Sequence, residues 1–340
     1  MRALPTAAAA LLAALFSQSA AAGCYVVYGP DKDIVYRAPE PPVDMSRQIH
    51  ETLPRVAPGG TLVFSPDDFG CELTINKLPL ASAAKVPFFA PFTGAQALRE
   101  PFNRYAIHVR ASYFDETDAI VRQTTSVGIK KIAVFYQNDA YGKTGLEGVT
   151  NALKALDLAP VAVGTVERGS TDVAQSLKDI LAAKPEAIVQ ISAYKPCATF
   201  IRLARRQGFT GNFYNLSFVG TQALLDELGS EARGVVVSQV MPFPYSAAQA
   251  ISGEYLAALK DKRGVAPNYS GMEGFVAAKV FAEGVRRAGR NLTREGFITA
   301  VQGIQNLQLG GFSVDFGPKK HTGSRFVEMT LLTEDGRVRR

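Results

Sequence analysis

Residues 130–153 read KKIAVFYQNDAYGKTGLEGVTNAL, and their order decides the fold. The apolar run 132–136 has the length and composition of a strand buried on both faces. Gln137, Asn138 and Asp139 make a polar turn. Gly142 and Gly145 then open a helix whose apolar positions Leu146, Val149 and Leu153 recur at helical spacing. Strand, turn and helix together form one βα unit of an open α/β sheet. Such sheets hold ligands in the crevice at the carboxyl ends of their strands. Residues 139–142 occupy such an end, which places Tyr141 toward a ligand.

The same alternation runs in both directions from this unit. Before it, strands are expected over 86–91 and 105–110, and a helix over 117–127 closed by Gly128. After it come strands at 160–165, 187–192, 212–216 and 234–240. The helices between and beyond them are expected at 172–183, 197–207, 222–228, 246–262, 272–288 and 294–302. Strands at 312–316 and 325–332 end the pattern. Strict alternation implies a parallel sheet with helices on both faces. The fold class is therefore α/β.

Residues 23–76 differ. Residues 24–28, a Gly29-Pro30-Asp31 turn and residues 34–37 read as a β-hairpin, and residues 61–64 as a third strand. This β-rich module is too small for a generous core. Cys24 and Cys71 bracket it and are its natural disulfide pair, a closure worth roughly 3–4 kcal/mol. Cys197 is then left over as a small packed residue. Ahead of the module, Arg2, the apolar stretch 7–16 and Ala20-Ala21-Ala22 form a signal peptide over residues 1–22. The apolar stretch is too short for a spanning helix. A lipid anchor on Cys24 is the alternative, with Ala21 a poor match to the Leu-like residue such a box wants. Export places the cysteines in an oxidising, periplasmic space.

Chemistry motifs fail one by one. Gly142-Lys143-Thr144 resembles the end of a phosphate loop, but Gln137 stands where the loop needs its first Gly. No dinucleotide-binding glycine pattern opens a helix, and no nucleophile elbow or HExxH occurs. His50, His108 and His321 lack metal-ligand spacing, so neither metal nor cofactor is expected. Asp115-Glu116, at a helix start, complements the helix dipole. The charge of +6 is spread along 340 residues, which speaks against nucleic acid as a partner. What the strand ends do carry is neutral hydrogen-bonding groups: Thr93-Gly94-Ala95, Tyr141, Ser192, Tyr194 and Ser217. Small residues expose backbone N–H groups to an anion, and tyrosines add apolar walls with a polar tip. Their shared position makes a binding cleft, without catalysis, the expectation.

Five stretches carry a resemblance: 87–100 (PFFAPFTGAQALRE), 110–117 (RASYFDET), 132–145, 241–244 (MPFP) and 273–278 (EGFVAA). They resemble the type I periplasmic solute-binding proteins of ABC importers, in the branch that binds branched-chain amino acids. The resemblance covers residues 77–340. It implies two α/β lobes closing over a small-molecule ligand, as a monomer serving importer membrane subunits. Lobe 1 would comprise residues 77–115 and 245–325, and lobe 2 residues 116–244. Thr93 and Ala95, with Gly94 between them, would bind the ligand carboxylate. Tyr141 and Tyr194 would contact the ligand from lobe 2.

Two departures follow from the same comparison. Amino-acid-binding relatives place an acidic residue near Ser217 for the ligand ammonium, and a serine supplies no charge. A cleft without a counter-charge disfavours an ammonium, which turns the expectation toward a carboxylate, amide or aromatic acid. Relatives also begin with a βαβαβ segment that builds most of lobe 1. Here the Cys-bracketed module, itself similar to small exported proteins, stands in its place and leaves lobe 1 incomplete. The competing expectations are a rearranged protein that binds nothing, a ligand sensor, and an exported enzyme for which no residue set has the needed roles.

Overall fold

A computed structural model describes residues 24–29, 33–38, 41–43, 48–65, 75–76, 85–290 and 292–340. The expected signal peptide and Cys71 lie outside the described residues. The chain divides between residues 84 and 85 into two compact units.

In the first unit β1 (Cys24–Tyr28) and β2 (Ile34–Ala38) form the expected antiparallel hairpin, with Val27 opposite Tyr36. β3 (Thr61–Ser65) pairs antiparallel with the other edge of β1, and β4 (Ile75–Asn76) with β2. A helix absent from the sequence reading, Ile49–Val56, lays Leu53 against Val27, Tyr36, Ala38 and Ala57. That small apolar cluster is the unit's core.

The second unit begins with a short parallel pair, β5 (Phe88–Phe89) and β6 (Ala106–Ile107). Both strands are shorter than expected. Ala90 turns the chain out of β5 with a φ of 49°, a left-handed conformation that strains a residue with a Cβ. A seven-stranded sheet follows. It contains β7 (Ile132–Gln137), β8 (Val163–Val166), β9 (Ala187–Ile191), β10 (Asn212–Asn215) and β11 (Val235–Gln239). Two short strands, β12 (Leu307–Gln308) and β13 (Ser313–Val314), form a separate antiparallel pair. β14 (Glu328–Leu332) and β15 (Val338–Arg339) then complete the large sheet.

The strand order is β15-β14-β11-β10-β9-β7-β8. The inner ladders are parallel, and β14 and β15 join antiparallel at one edge. From β7 the chain steps to β8 on one side and then to β9 on the other. The order therefore reverses between β7 and β9, and that reversal opens a crevice at their carboxyl ends. Phe135, Ile188 and Phe213 face one core with Phe200 and Leu224, while Ile132, Val134 and Val189 face another with Ile120 and Val149. A third core gathers Ile107, Val109, Met272, Val276, Phe297 and Phe312 around the helix Tyr269–Ala288.

Several helix starts differ from the sequence reading, and local signals set them. The helix Tyr113–Ser126 begins four residues before Thr117 because Ser112 and Asp115 form a capping box. The helix Tyr194–Arg206 begins three residues before Cys197. Pro196 sits in its first turn, where no N–H is needed. In the stretch 130–153, Asp139 caps the helix Ala140–Lys154 by accepting from the Gly142 N–H at 3.0 Å. A Cβ on Gly142 would lie 1.9 Å from the Gln137 carbonyl oxygen. The glycine is there for close approach of helix to strand, not for a phosphate.

Gly142→Ala should therefore lower stability by about 3 kcal/mol, the cost of overpacking against immobile backbone, as read from urea unfolding. Cys197 is buried as a free thiol, and burial pushes its pKa up. The expected pairing of Cys24 with Cys71 predicts a single alkylatable thiol in unreduced, denatured protein, and three would remove it.

Candidate functional site

The loop after β5 brings Phe92 and Thr93 beside the start of the helix Tyr113–Ser126. The Tyr113 N–H donates to the Gly94 carbonyl at 2.9 Å, and a Cβ on Gly94 would stand 2.6 Å from the Tyr113 ring. The Thr93 hydroxyl lies 3.2 Å from the Tyr113 hydroxyl and accepts from the Ala95 N–H at 3.2 Å. The strand-end loop is thus a closed local network, with Tyr113 as its floor.

Tyr113 continues into an aromatic cluster. Its ring centroid is 5.0 Å from that of Tyr141 and 6.3 Å from that of Phe218. Tyr141 and Phe218 are 4.9 Å apart, and Phe92 lies 5.9 Å from Phe218. These are tilted and edge contacts, the arrangements that ring quadrupoles favour. The Tyr141 hydroxyl is buried with no hydrogen-bond partner among the described residues. Burial, the largest cause, holds its pKa well above the ordinary phenol range.

Beneath the cluster lies a buried ion network. Arg110 is 1% exposed and Glu116 is fully buried. Arg110 donates through Nη2 to Glu116 Oε1 at 3.0 Å and also to Ser217 Oγ. Glu116 further accepts from the Ser217 N–H at 2.8 Å, from Ser217 Oγ at 3.0 Å and from Ser238 Oγ. Its charge is thereby fully engaged. Arg110 Nη1 reaches both oxygens of Glu273, each at 3.4 Å. Desolvation is the main cause raising the Glu273 pKa, against the pull of Arg110. The guanidinium also lies 5.4 Å from the Phe92 ring centroid.

Glu273 and Ser217 border a cavity of about 210 Å³. Phe92, Gln239, Met241 and the starts of the helices Thr221–Leu228 and Tyr269–Ala288 complete its wall. Of the residues expected at the site, Thr93, Gly94, Ala95 and Tyr141 gather around Tyr113, while Ser217 joins both the ion network and the cavity. Tyr194 starts its helix at the carboxyl end of β9 and packs against the core on the Phe200 side of the sheet.

The sequence reading missed Arg110, Tyr113, Glu116, Phe218, Ser238 and Glu273. Arg110 and Glu273 carried a signal only as the first residues of two stretches that bear the family resemblance, 110–117 and 273–278. Two expectations need correction. Glu116 does more than complement the helix dipole, because its carboxylate is the buried partner of Arg110. An acidic residue does stand beside Ser217, supplied by the helix Tyr113–Ser126. That carboxylate is committed to Arg110, so the acidic group open to the cavity is Glu273.

Glu116→Gln and Arg110→Met should each cost about 3–5 kcal/mol, because either strands a buried partner. Combining them should cost clearly less than the sum, with a coupling of about 1 kcal/mol or more in a urea-unfolding cycle.

A family model described as periplasmic binding protein matches residues 76–337. No curated protein matches the chain. Among solved structures, a possible leucine/isoleucine/valine-binding protein from Rhodopirellula baltica SH 1 is similar at 31% identity. That match covers 76% of this chain and 72% of the other, with a TM-score of 0.72. A substrate-binding periplasmic protein from Ralstonia solanacearum is 32% identical, covering 76% and 74%, with a TM-score of 0.69. A branched chain amino acid ABC transporter protein from Thermus thermophilus, solved with bound valine, is 21% identical over 76% of this chain and 72% of its own. Its TM-score of 0.65 speaks to the fold alone. The chain belongs to the periplasmic binding protein family, whose members bind solutes and are not enzymes.

Proposed function

We propose that this chain is the extracytoplasmic substrate-binding component of an ABC importer. It takes amino acids or related small carboxylates and amides by closing its cleft over them. The carrying observation is the cavity beside Ser217. A carboxylate, Glu273, stands on its wall, and two helix N-termini border it. Helix N-termini favour an anion and Glu273 favours a cation, so the wall complements a zwitterion. The relatives agree in kind: the Rhodopirellula protein is described as possibly binding leucine, isoleucine or valine, and the Thermus structure holds valine.

In this reading the ligand carboxylate displaces the hydrogen bond between Thr93 and Ala95 beside Gly94 and takes their hydroxyl and backbone N–H groups. Tyr141 and Tyr194 form the opposing wall. The protein is exported by its leader, works as a monomer and hands its ligand to membrane subunits. Lobe 2 is residues 116–244. Lobe 1, residues 77–115 and 245–325, is incomplete, in keeping with a β5 that pairs with β6 alone among the described strands. The aromatic cluster favours a second reading. Phe92, Tyr113, Tyr141 and Phe218 meet where the ligand would touch Thr93, as expected of a rearranged protein that binds nothing.

A thermal-shift panel of amino acids, their desamino acids and their amides separates the two. The transport reading expects a saturable rise in melting temperature with at least one compound. A flat response across the panel would leave the second reading standing. Glu273→Gln should weaken ammonium-bearing ligands about tenfold, or 1.4 kcal/mol, and leave desamino acids unchanged.

A further inference from the structure

Gln239 ends β11 and lines the cavity beside Ser217, yet it is only 1% exposed. Both protons of its amide nitrogen are in use. Nε2 donates to Thr221 Oγ1 at 2.8 Å and to Thr330 Oγ1 at 2.9 Å. The second contact fixes which way the amide faces. Thr330 gives its own proton to the Val237 carbonyl at 3.1 Å, so toward Gln239 it can only accept. The amide oxygen is therefore the free end. Oε1 accepts from no group among the described residues, and it is not one of the fully enclosed polar atoms that lack a partner. It keeps a surface of its own, and on a side chain this buried that surface faces the cavity the residue lines.

The other neutral amides of the wall are engaged within the protein. Gln222 Nε2 donates to Asp226 Oδ1 at 2.8 Å. Asn268 accepts from the Gly271 N–H through Oδ1 at 2.8 Å and donates to the Ala266 carbonyl through Nδ2 at 3.1 Å. The Ser217 hydroxyl serves Arg110 and Glu116. Donors stand directly beside Gln239. Its partner Thr221 is the first residue of the helix Thr221–Leu228, and Gly220 before it supplies no side-chain cap. The Leu224 N–H is the first to bond back into the turn, to the Gly220 carbonyl at 2.9 Å. The N–H groups of Thr221, Gln222 and Ala223 have no partner within the helix, and all three residues line the cavity. An unpaired acceptor thus sits against a row of unpaired donors.

We propose that the cavity selects an amino acid whose side chain ends in a carboxamide. The ligand amide N–H donates to Gln239 Oε1, and the ligand amide carbonyl accepts from the uncapped N–H groups that open the helix Thr221–Leu228. This rests on the cavity being the ligand site, as proposed above, and narrows what it takes. An aliphatic side chain of the same shape would strip water from Oε1 and give nothing back, leaving a buried acceptor unpaired. A site built to hydrogen-bond a ligand group rejects the analogue that lacks it, far more strongly than an apolar pocket tells one methyl group from another. Asparagine and leucine have side chains of the same shape, and only asparagine carries the N–H donor, so the pair isolates the acceptor from size.

The test is calorimetric titration of the full chain at neutral pH with asparagine against leucine, and with glutamine against methionine, which is of similar length. At least one amide should bind saturably and about tenfold or more tighter than its apolar counterpart. Gln239→Met removes the acceptor at nearly constant length. It should weaken the amide about tenfold and leave the apolar amino acid unchanged or tighter, with a cooperative melt to show that the variant folds. Equal or tighter binding of leucine or methionine by the unaltered chain would overturn the proposal alone, whether or not the variant folds. A variant that weakens amide and apolar ligands alike would also overturn it, because Gln239 would then meet the ammonium they share. No saturable binding of any of the four would count against the solute-binding reading as well.

Discussion

The Arg110–Glu116 ion pair, with both side chains removed from water, is the constraint around which the second unit is arranged. A lone buried charge is unsustainable, so each member dictates its surroundings. Glu116 draws in Ser217 from the end of β10 and Ser238 from β11. Arg110 draws in Glu273 from the helix Tyr269–Ala288. One guanidinium thus ties the core of the parallel sheet to the core built on the later helices. Phe92 and Tyr113, stacked around the guanidinium, close off its remaining face.

This arrangement alters what the cleft can recognise. Glu116 has four donors and nothing left to offer. Glu273 has two long contacts to Arg110 and an open side toward the cavity. Of the two carboxylates, the one farther from Ser217 in the network is the one able to meet a new partner. A serine at position 217 is then no deficit. It bridges Arg110 and Glu116 with its hydroxyl, accepting from one and donating to the other, a role an acidic side chain could not fill beside Glu116 without repulsion.

The parallel sheet was legible because buried parallel strands are written as apolar runs, and each run is a local property of the chain. The strand at 132–136 and its neighbours at 187–192 and 212–216 needed no knowledge of one another. Helix starts were less legible where a cap outweighed apolar spacing, as Ser112 and Asp115 do. The ion network was the least legible. Glu116 meets Ser217 and Ser238 across 101 and 122 residues of chain, and Arg110 meets Glu273 across 163. No periodicity encodes pairings at that range. Of the strand-end groups, Thr93, Gly94, Ala95, Tyr141 and Ser217 could be named from topology alone. Topology gave no hint that Tyr113 and Phe218 stand between them.

The buried hydroxyl of Tyr141 bears on how the protein rests when empty. A phenol that has left water without gaining a protein partner raises the free energy of that state by roughly 1–3 kcal/mol. At equilibrium this shifts the balance between a conformation that buries Tyr141 and one that wets it by about fivefold to 150-fold. The aromatic cluster is thereby a spring held against a small load. The ring contacts with Tyr113 and Phe218 hold Tyr141 there, and a group in the cleft that accepted that one proton would lift the load.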